Sequence, residues 1–151
     1  MLKKLAYIIV LLSTLYLICY SSSALAASSD NLNYGTLNCS EVTSIYDGDT
    51  FRCNIEGVHP LLGNRIAIRV NGVDTPEMKD KRPEIKALAQ QAKQFTVGKL
   101  RGAKVVELRN VQRGKYFRIV ADVYMDGENL TEGLIGEGLG KKYDGGTKEG
   151  W

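Results

Sequence analysis

The alternation of apolar and polar positions predicts five short β-strands. In the segment RIAIRVNGV, Ile66, Ile68 and Val70 alternate with polar or small residues, among them Arg69. A period of two is typical of a strand with one buried face, so Arg69 is expected on the face opposite the isoleucines. Four further segments are rich in β-forming residues, namely VTSIY (42–46), TFRCNI (50–55), AKVVELRNV (103–111) and FRIVADVYM (117–125).

Two other segments have apolar residues at helical spacing. The first runs from Pro83 to about Leu100, and a proline suits the first turn of a helix. In the second, NLTEGLIGEGLG, Gly133, Gly136 and Gly138 each disfavour a helix by about 1 kcal/mol relative to alanine, so this helix must depend on packing. The order of elements predicts an α+β, mainly β fold: a five-stranded Greek-key barrel of the oligonucleotide-binding (OB) type with two or three helices.

The N-terminus, residues 1–26, is typical of a secretory signal peptide. Lys3 and Lys4 precede an apolar run, and Ala24 and Ala26 fit the small-x-small pattern of signal-peptidase cleavage after residue 26. The alternative is a retained membrane anchor, but the apolar run is short for a membrane span. We therefore expect export, either to a periplasm or out of the cell, and a mature monomer without stable membrane association.

The remaining chain is expected to hold one folded domain. The polar and small residues of 27–40 are interpreted as a flexible linker, and residues 41–151 as the domain. The whole chain has a net charge of +3; loss of the signal peptide removes two of 20 basic residues and no acid, which leaves 18 basic against 17 acidic residues. A net charge near +1 is too small for binding of nucleic acid by bulk charge, so a polyanion would have to be bound by a few placed cations.

Two cysteines remain after the predicted cleavage, Cys39 and Cys53. An even pair in a small exported domain favours one disulfide, and the two residues flank a predicted strand–turn–strand unit. The alternative is two buried free thiols. A zinc site is not expected, because two cysteines and the lone His59 cannot complete a zinc coordination sphere.

Two phrases that contain Asp-Thr, DGDT (47–50) and DTPE (74–77), follow or precede predicted strands. If those strand ends meet, Asp49 and Asp74 place two carboxylates at one point, where a cation is needed between them. Hard oxygen ligands select calcium or magnesium, and Thr75 could add a backbone carbonyl. Glu77 follows closely enough to orient or deprotonate a water molecule. Each phrase alone is more typical of a plain turn.

Two arginines accompany these acids. Arg69 precedes Asp74 by five residues, and Arg118 begins the last long strand. A guanidinium matches the geometry of phosphate oxygens, so a metal, a carboxylate base and two arginines together indicate phosphoryl-transfer chemistry.

The combination DGDT, then R-x-x-x-x-DTPE, then KY-x-R, from about Val42 to Tyr143, resembles the staphylococcal nuclease (thermonuclease) family. The resemblance implies a barrel nuclease, a phosphodiesterase that uses one Ca²⁺ to cut DNA and RNA and leaves 3′-phosphate ends. By position it implies calcium ligands at Asp49, Asp74 and Thr75, catalytic roles for Arg69, Glu77 and Arg118, a nearby acid at Asp47, and substrate contacts by Lys115, Tyr116 and Tyr143.

One departure stands out, because the family usually has glycine where this chain has Phe117. Phe117 could shift Arg118 or offer a face for base stacking. Two alternatives to an enzyme remain. One is a catalytically weak OB-fold nucleic-acid-binding module of the same family, and the other is a disulfide-stapled adhesion or toxin-like barrel in which both phrases are only turns. The presence of both acids, Glu77 and both arginines favours the enzyme.

Overall fold

The structure is a computed structural model that describes residues 32–148 and 150–151. The predicted signal peptide and the first part of the predicted linker lie outside the described residues. The described residues belong to one compact unit. Within this part of the chain, no helix is both long and apolar enough to cross a membrane.

Five strands close into a mixed β-barrel, as predicted. Antiparallel pairing joins β1 to β2, β2 to β3, β1 to β5 and β5 to β6, and a parallel pairing of β3 with β6 closes the barrel. The bounds of the barrel strands are β1 Leu37–Ile45, β2 Thr50–Ile55, β3 Ile66–Val70, β5 Val106–Arg113 and β6 Ile119–Met125.

Three helices and three two-residue strands complete the fold. The helices are α1 Pro60–Gly63, α2 Pro83–Gly102 and α3 Leu130–Gly136, and a turn of 3₁₀ helix spans Lys115–Phe117. The short strands are β4 Val73–Asp74, which pairs with β8 Lys141–Lys142, and β7 Glu128–Asn129, which pairs with β6. The α+β, mainly β barrel expected from the sequence is therefore confirmed.

The barrel interior is filled by the residues that the alternation places inside. Ile66, Ile68 and Val70 of β3 are buried, and Phe51 and Leu108 from neighbouring strands pack in the same core. Because side chains alternate along a strand, this burial directs Arg69 away from the core and toward one end of the barrel.

The folded part begins earlier than the predicted domain start at Glu41. Strand β1 begins at Leu37, within the predicted linker, and a disulfide joins Cys39 of this strand to Cys53 of β2. Further upstream, the Tyr34 N–H donates to the Val111 carbonyl at 2.7 Å. These contacts order a stretch whose polar composition indicated a linker.

The C-terminal half of the chain differs from the expected pattern in two places. Helix α3 ends at Gly136, earlier than the apolar spacing suggested, and residues 141–142 form a short strand beyond the five that the sequence predicted. Packing explains one glycine of α3: a Cβ on Gly133 would lie 3.1 Å from Cζ of Phe95 on α2. The close approach of the two helices therefore favours glycine at this position.

Candidate active site

The turn between β1 and β2 carries the DGDT phrase and is fixed against helix α2. A Cβ on Gly48 would lie 2.8 Å from Cγ2 of Thr75 and 2.9 Å from Cβ of Ala92, which is too close for any side chain. The hydroxyl of Thr96 on α2 donates to the Gly48 carbonyl at 2.7 Å and is itself fully buried. The turn is therefore held in place by packing on one side and by a buried hydrogen bond on the other.

The carboxylate of Asp49 is enclosed, with only 1% of the residue exposed. Its Oδ2 accepts the backbone N–H of Thr75 at 2.8 Å and the Thr75 hydroxyl at 3.0 Å. Its Oδ1 accepts the Thr50 hydroxyl at 3.0 Å and also contacts Nη1 of Arg69. Both Asp-Thr phrases thus meet at this carboxylate.

The guanidinium of Arg69 joins the two phrases. Thr50 of β2 pairs with Arg69 of β3, which brings the arginine beside Asp49. Its Nη2 donates to Oδ1 of Asp74 at 3.0 Å and to the Val73 carbonyl at 3.2 Å. A planar guanidinium therefore lies between two carboxylates that would otherwise repel each other.

A lysine from the C-terminal segment also reaches these acids. Nζ of Lys148 lies 2.8 Å from Oδ1 of Asp74 and 2.7 Å from Oε1 of Glu77, and the indole N–H of Trp151 donates to Oδ2 of Asp74 at 3.3 Å. Burial alone would raise the pKa of Asp74, but the hydrogen bonds from Lys148, Arg69 and Trp151 outweigh it and hold this pKa below its usual range. Burial likewise acts to lower the pKa of Lys148, and its two carboxylate partners raise that pKa above its ordinary value.

Asp47 precedes Asp49 by two residues in the same turn and has a different electrostatic environment. Burial, followed by the charge of Asp49, raises the pKa of Asp47 to about 7. Its Oδ1 accepts the backbone N–H of Asp49 at 3.2 Å. Asp47 therefore orders the turn while it carries less negative charge near neutral pH than an ordinary aspartate.

A cavity of about 590 Å³ opens beside these groups. Its lining includes Arg118, Lys115, Glu77 and Tyr143. Nε of Arg118 donates to the Lys115 carbonyl at 3.3 Å, and the Tyr143 ring centre lies 6.0 Å from Cζ of Arg69. Five predicted site residues thus surround one space, namely Arg69, Glu77, Lys115, Arg118 and Tyr143.

Tyr116 and Thr75 lie apart from the five residues that share the cavity lining. The Tyr116 side chain is 89% exposed and lies outside the lining of this cavity, with its ring centre 5.9 Å from Cζ of Arg118. Thr75 contacts Asp49 through its N–H and hydroxyl, and neither contact uses the carbonyl that the sequence predicted as a calcium ligand.

Sequence reasoning missed three residues that contact the acids: Thr50, Lys148 and Trp151. The Thr50 hydroxyl belongs to the DGDT phrase and could have been noticed there. Lys148 and Trp151 contact Asp74 across more than 70 positions of sequence, and no local pattern marks them.

A small closed barrel with arginines and carboxylates around one cleft defines a nucleic-acid-binding class of fold. The family model for staphylococcal nuclease homologues matches residues 67–149, more than half of the chain, and the chain belongs to that family. The matched region holds all of the predicted site residues except those of the DGDT turn. The place of Asp49 in the site therefore depends on its contacts with Arg69 and Thr75.

The donor chemistry of the site fits a hard divalent cation. Asp49, Asp74 and Glu77 offer only carboxylate oxygens, which suit calcium or magnesium better than zinc or copper. Positive groups already lie among these oxygens, since Arg69 bridges the first two and Lys148 bridges the last two. Across residues 32–148 and 150–151, however, no three carboxylate, imidazole or thiol groups are grouped as a ready metal centre.

Proposed function

We propose that this protein is an exported, calcium-dependent nuclease that hydrolyses phosphodiester bonds of DNA and RNA and leaves 3′-phosphate ends. The observation that carries the proposal is the gathering of Asp49, Asp74 and Arg69 beside a cavity that Glu77 and Arg118 also line. These are the group types that phosphoryl transfer needs: carboxylates for a cation, a base, and guanidiniums for phosphate. Membership in the staphylococcal nuclease family supports the same reaction class.

The calcium ion would be held by the Asp49 and Asp74 carboxylates, with the Thr75 carbonyl as a further oxygen ligand. When bound, it supplies positive charge that stabilises the negative phosphate oxygens during displacement. Asp49 and Asp74 are both nearly buried, so they are fixed before any ligand arrives. Such preorganisation lowers the cost of gathering like charges at one point.

Arg118 is the guanidinium best placed to bind a phosphate oxygen. It lines the cavity, and among the described residues the one hydrogen bond of its side chain uses Nε and the Lys115 carbonyl. Its two terminal nitrogens are therefore available as donors for a bidentate phosphate contact. Arg69 would add a second guanidinium after exchanging one of its carboxylate partners for phosphate.

Glu77 would accept the proton of the attacking water. More than half of its side chain is exposed, so water reaches the carboxylate, and the same cavity holds Arg118. A carboxylate that holds a water near a bound phosphate directs the attack along the line opposite the leaving oxygen. The Lys148 contact must open or shift for this role, because Lys148 engages Oε1 of Glu77.

The test is digestion of plasmid DNA and of RNA by the chain from residue 27, with calcium and with chelator. Cleavage in calcium, loss in chelator, and a fall of about 10²–10³ in rate for Arg118→Ala are expected. Glu77→Gln should abolish most of the activity, whereas Glu84→Gln, an exposed acid in the first turn of α2, should not. Full activity in chelator would refute calcium dependence, and N-terminal sequencing of secreted protein checks cleavage after Ala26.

The alternative function is a catalytically weak OB-fold module that binds nucleic acid. The contacts of Lys148 with Glu77 and of Arg69 with both aspartates favour it, because they occupy the base and one phosphate-binding group. The same digestion separates the two functions: a binding module would retain DNA in a mobility-shift assay yet leave plasmid and RNA intact in calcium.

A further inference from the structure

The loop between β5 and β6 holds two neighbouring aromatic residues in a left-handed backbone conformation. The φ angles are 57° at Tyr116 and 59° at Phe117. This region costs residues other than glycine roughly 1–2 kcal/mol each. Strain of this kind persists where the surrounding structure enforces it, and it is concentrated at ligand-binding sites.

Short contacts within the loop enforce this conformation. The Gly114 N–H donates to the Arg118 carbonyl at 2.7 Å, and the Arg118 N–H donates to the Lys115 carbonyl at 3.3 Å. A Cβ on Gly114 would lie 2.9 Å from Cγ2 of Val120, so the loop closes tightly on β6. The two rings are consequently presented outward, with 89% of Tyr116 and 49% of Phe117 exposed.

Each ring is paired with an arginine. Cζ of Arg113 lies 4.1 Å from the centre of the Phe117 ring, within the range of a close cation–π stack, and Cζ of Arg118 lies 5.9 Å from the centre of the Tyr116 ring. Arg113 therefore supports Phe117 from one side, while about half of the residue surface stays open.

The charge around the loop is suited to a polyanion. Arg113, Lys115 and Arg118 all line the cavity that contains Glu77, so the loop forms one edge of the candidate active site. Within the described part of the chain, none of these three cations forms a salt bridge. Three uncompensated cations beside exposed aromatic rings match a strand of phosphates and bases rather than an apolar protein surface.

We propose that Phe117, supported by Arg113, stacks on an unpaired nucleobase of a strand bound in this cleft. The inference rests on the proposed function, because it concerns the substrate of the same cleft. A base within a duplex is already stacked on its neighbours, whereas a base in a single strand can turn its face to a side chain. Phosphates held by Arg118 and Lys115 would place one base of the same strand over Phe117.

Binding is measured by fluorescence anisotropy in chelator, so no cleavage is needed. The ligands are a single-stranded DNA oligonucleotide, an abasic strand of the same length, and the corresponding duplex. Phe117→Ala should weaken binding of the single strand by roughly 5- to 150-fold, the usual contribution of one stacked base. Binding of the abasic strand and of the duplex should be unchanged, and Phe117→Trp should retain the affinity of the wild type.

Two further variants test whether a loss of single-strand affinity comes from a change in the fold. Phe117→Gly removes the ring and suits the left-handed backbone, so it should fold at least as well as the wild type and still lose the single-strand affinity. Tyr124→Ala removes a comparable stack, since Arg109 lies 4.0 Å from the Tyr124 ring centre outside the cavity lining, and it should leave binding unchanged.

The stacking role of Phe117 would be overturned if Phe117→Ala weakened binding of the normal and the abasic strand equally. It would also be overturned if neither Phe117→Ala nor Phe117→Gly weakened binding of the single strand. Because these measurements use no calcium, a protein that binds through Phe117 but never cleaves would contradict only the nuclease proposal. If the wild type cleaves nucleic acid but Phe117→Ala binds single strands normally, only the stacking role of Phe117 would be contradicted.

Discussion

The contact of Lys148 with Asp74 and Glu77 makes a specific prediction about metal affinity. Nζ of Lys148 lies within 2.8 Å of both carboxylates, so its positive charge occupies space beside the oxygens that would bind calcium. A divalent cation at Asp74 must displace the ammonium or share an oxygen with it. The change Lys148→Met removes the charge and keeps an unbranched side chain, so calcium affinity should increase.

The size of the effect follows from the exposure of the lysine. Its side chain is 42% exposed, so solvent screens both ion pairs and each is worth only about 0.2–1 kcal/mol. Two such contacts give a total near 1 kcal/mol, which is roughly a fivefold decrease in the calcium Kd. A much larger change in calcium affinity would require a site from which water is excluded, and the Lys148 amine is not buried.

The assay is isothermal titration calorimetry of calcium into the wild type and Lys148→Met, without substrate. Lys142→Met serves as the matched control, because it removes the same charge from strand β8, which pairs with the strand of Asp74. Its Kd should change by less than twofold. A calcium Kd that is unchanged or higher in Lys148→Met, or an equal decrease in the control, would refute competition by the ammonium.

The remaining predictions concern stability. Gly48→Ala should destabilise the fold by about 1–3 kcal/mol, because its methyl group would overlap Thr75 and Ala92. By contrast Gly98→Ala, whose methyl group enters open space on helix α2, should stabilise the fold by up to about 1 kcal/mol. Urea denaturation measures the free energy of unfolding of both variants. A Gly48→Ala variant as stable as the wild type would contradict the close packing at Gly48. Asp126→Asn tests the pH dependence of stability. Backbone N–H groups of residues 104 and 105 lower the pKa of Asp126. The ionised Asp126 therefore stabilises the fold above the ordinary aspartate pKa, and this stabilisation is lost on acidification. The Tm difference between wild type and this variant should therefore shrink below about pH 4, and a constant difference would contradict the assignment.

Short-range patterns were sufficient for much of the fold. The alternation at Ile66, Ile68 and Val70 is set by the pleat of a single strand, so it also predicted that Arg69 leaves the core. Sequence motifs were similarly sufficient to select Asp49 and Asp74 as a candidate pair, because each lies next to the end of a predicted strand. These features need only local periodicity and one assumption about which strand ends meet.

Long-range contacts were not predictable in the same way. Residues 141–142 pair with β4, and Lys148 and Trp151 reach Asp74. Arg82 holds the same segment by donating to the Trp151 carbonyl at 2.6 Å. None of these partners is adjacent in sequence or spaced by a helical or strand period, so only the folded chain brings them together.

The charges at the site show why both cations and acids are needed. Asp49, Asp74 and Glu77 contribute three negative charges, and Arg69 and Lys148 contribute two positive ones, which leaves −1 when Asp47 is counted as neutral. The raised pKa of Asp47 keeps this excess small near neutral pH. A bound divalent cation would change the sum to +1, and Arg118 in the lining of the same cavity would add a further positive charge. The site would then attract a phosphodiester anion more strongly in its metal-bound state, which links substrate binding to calcium through charge.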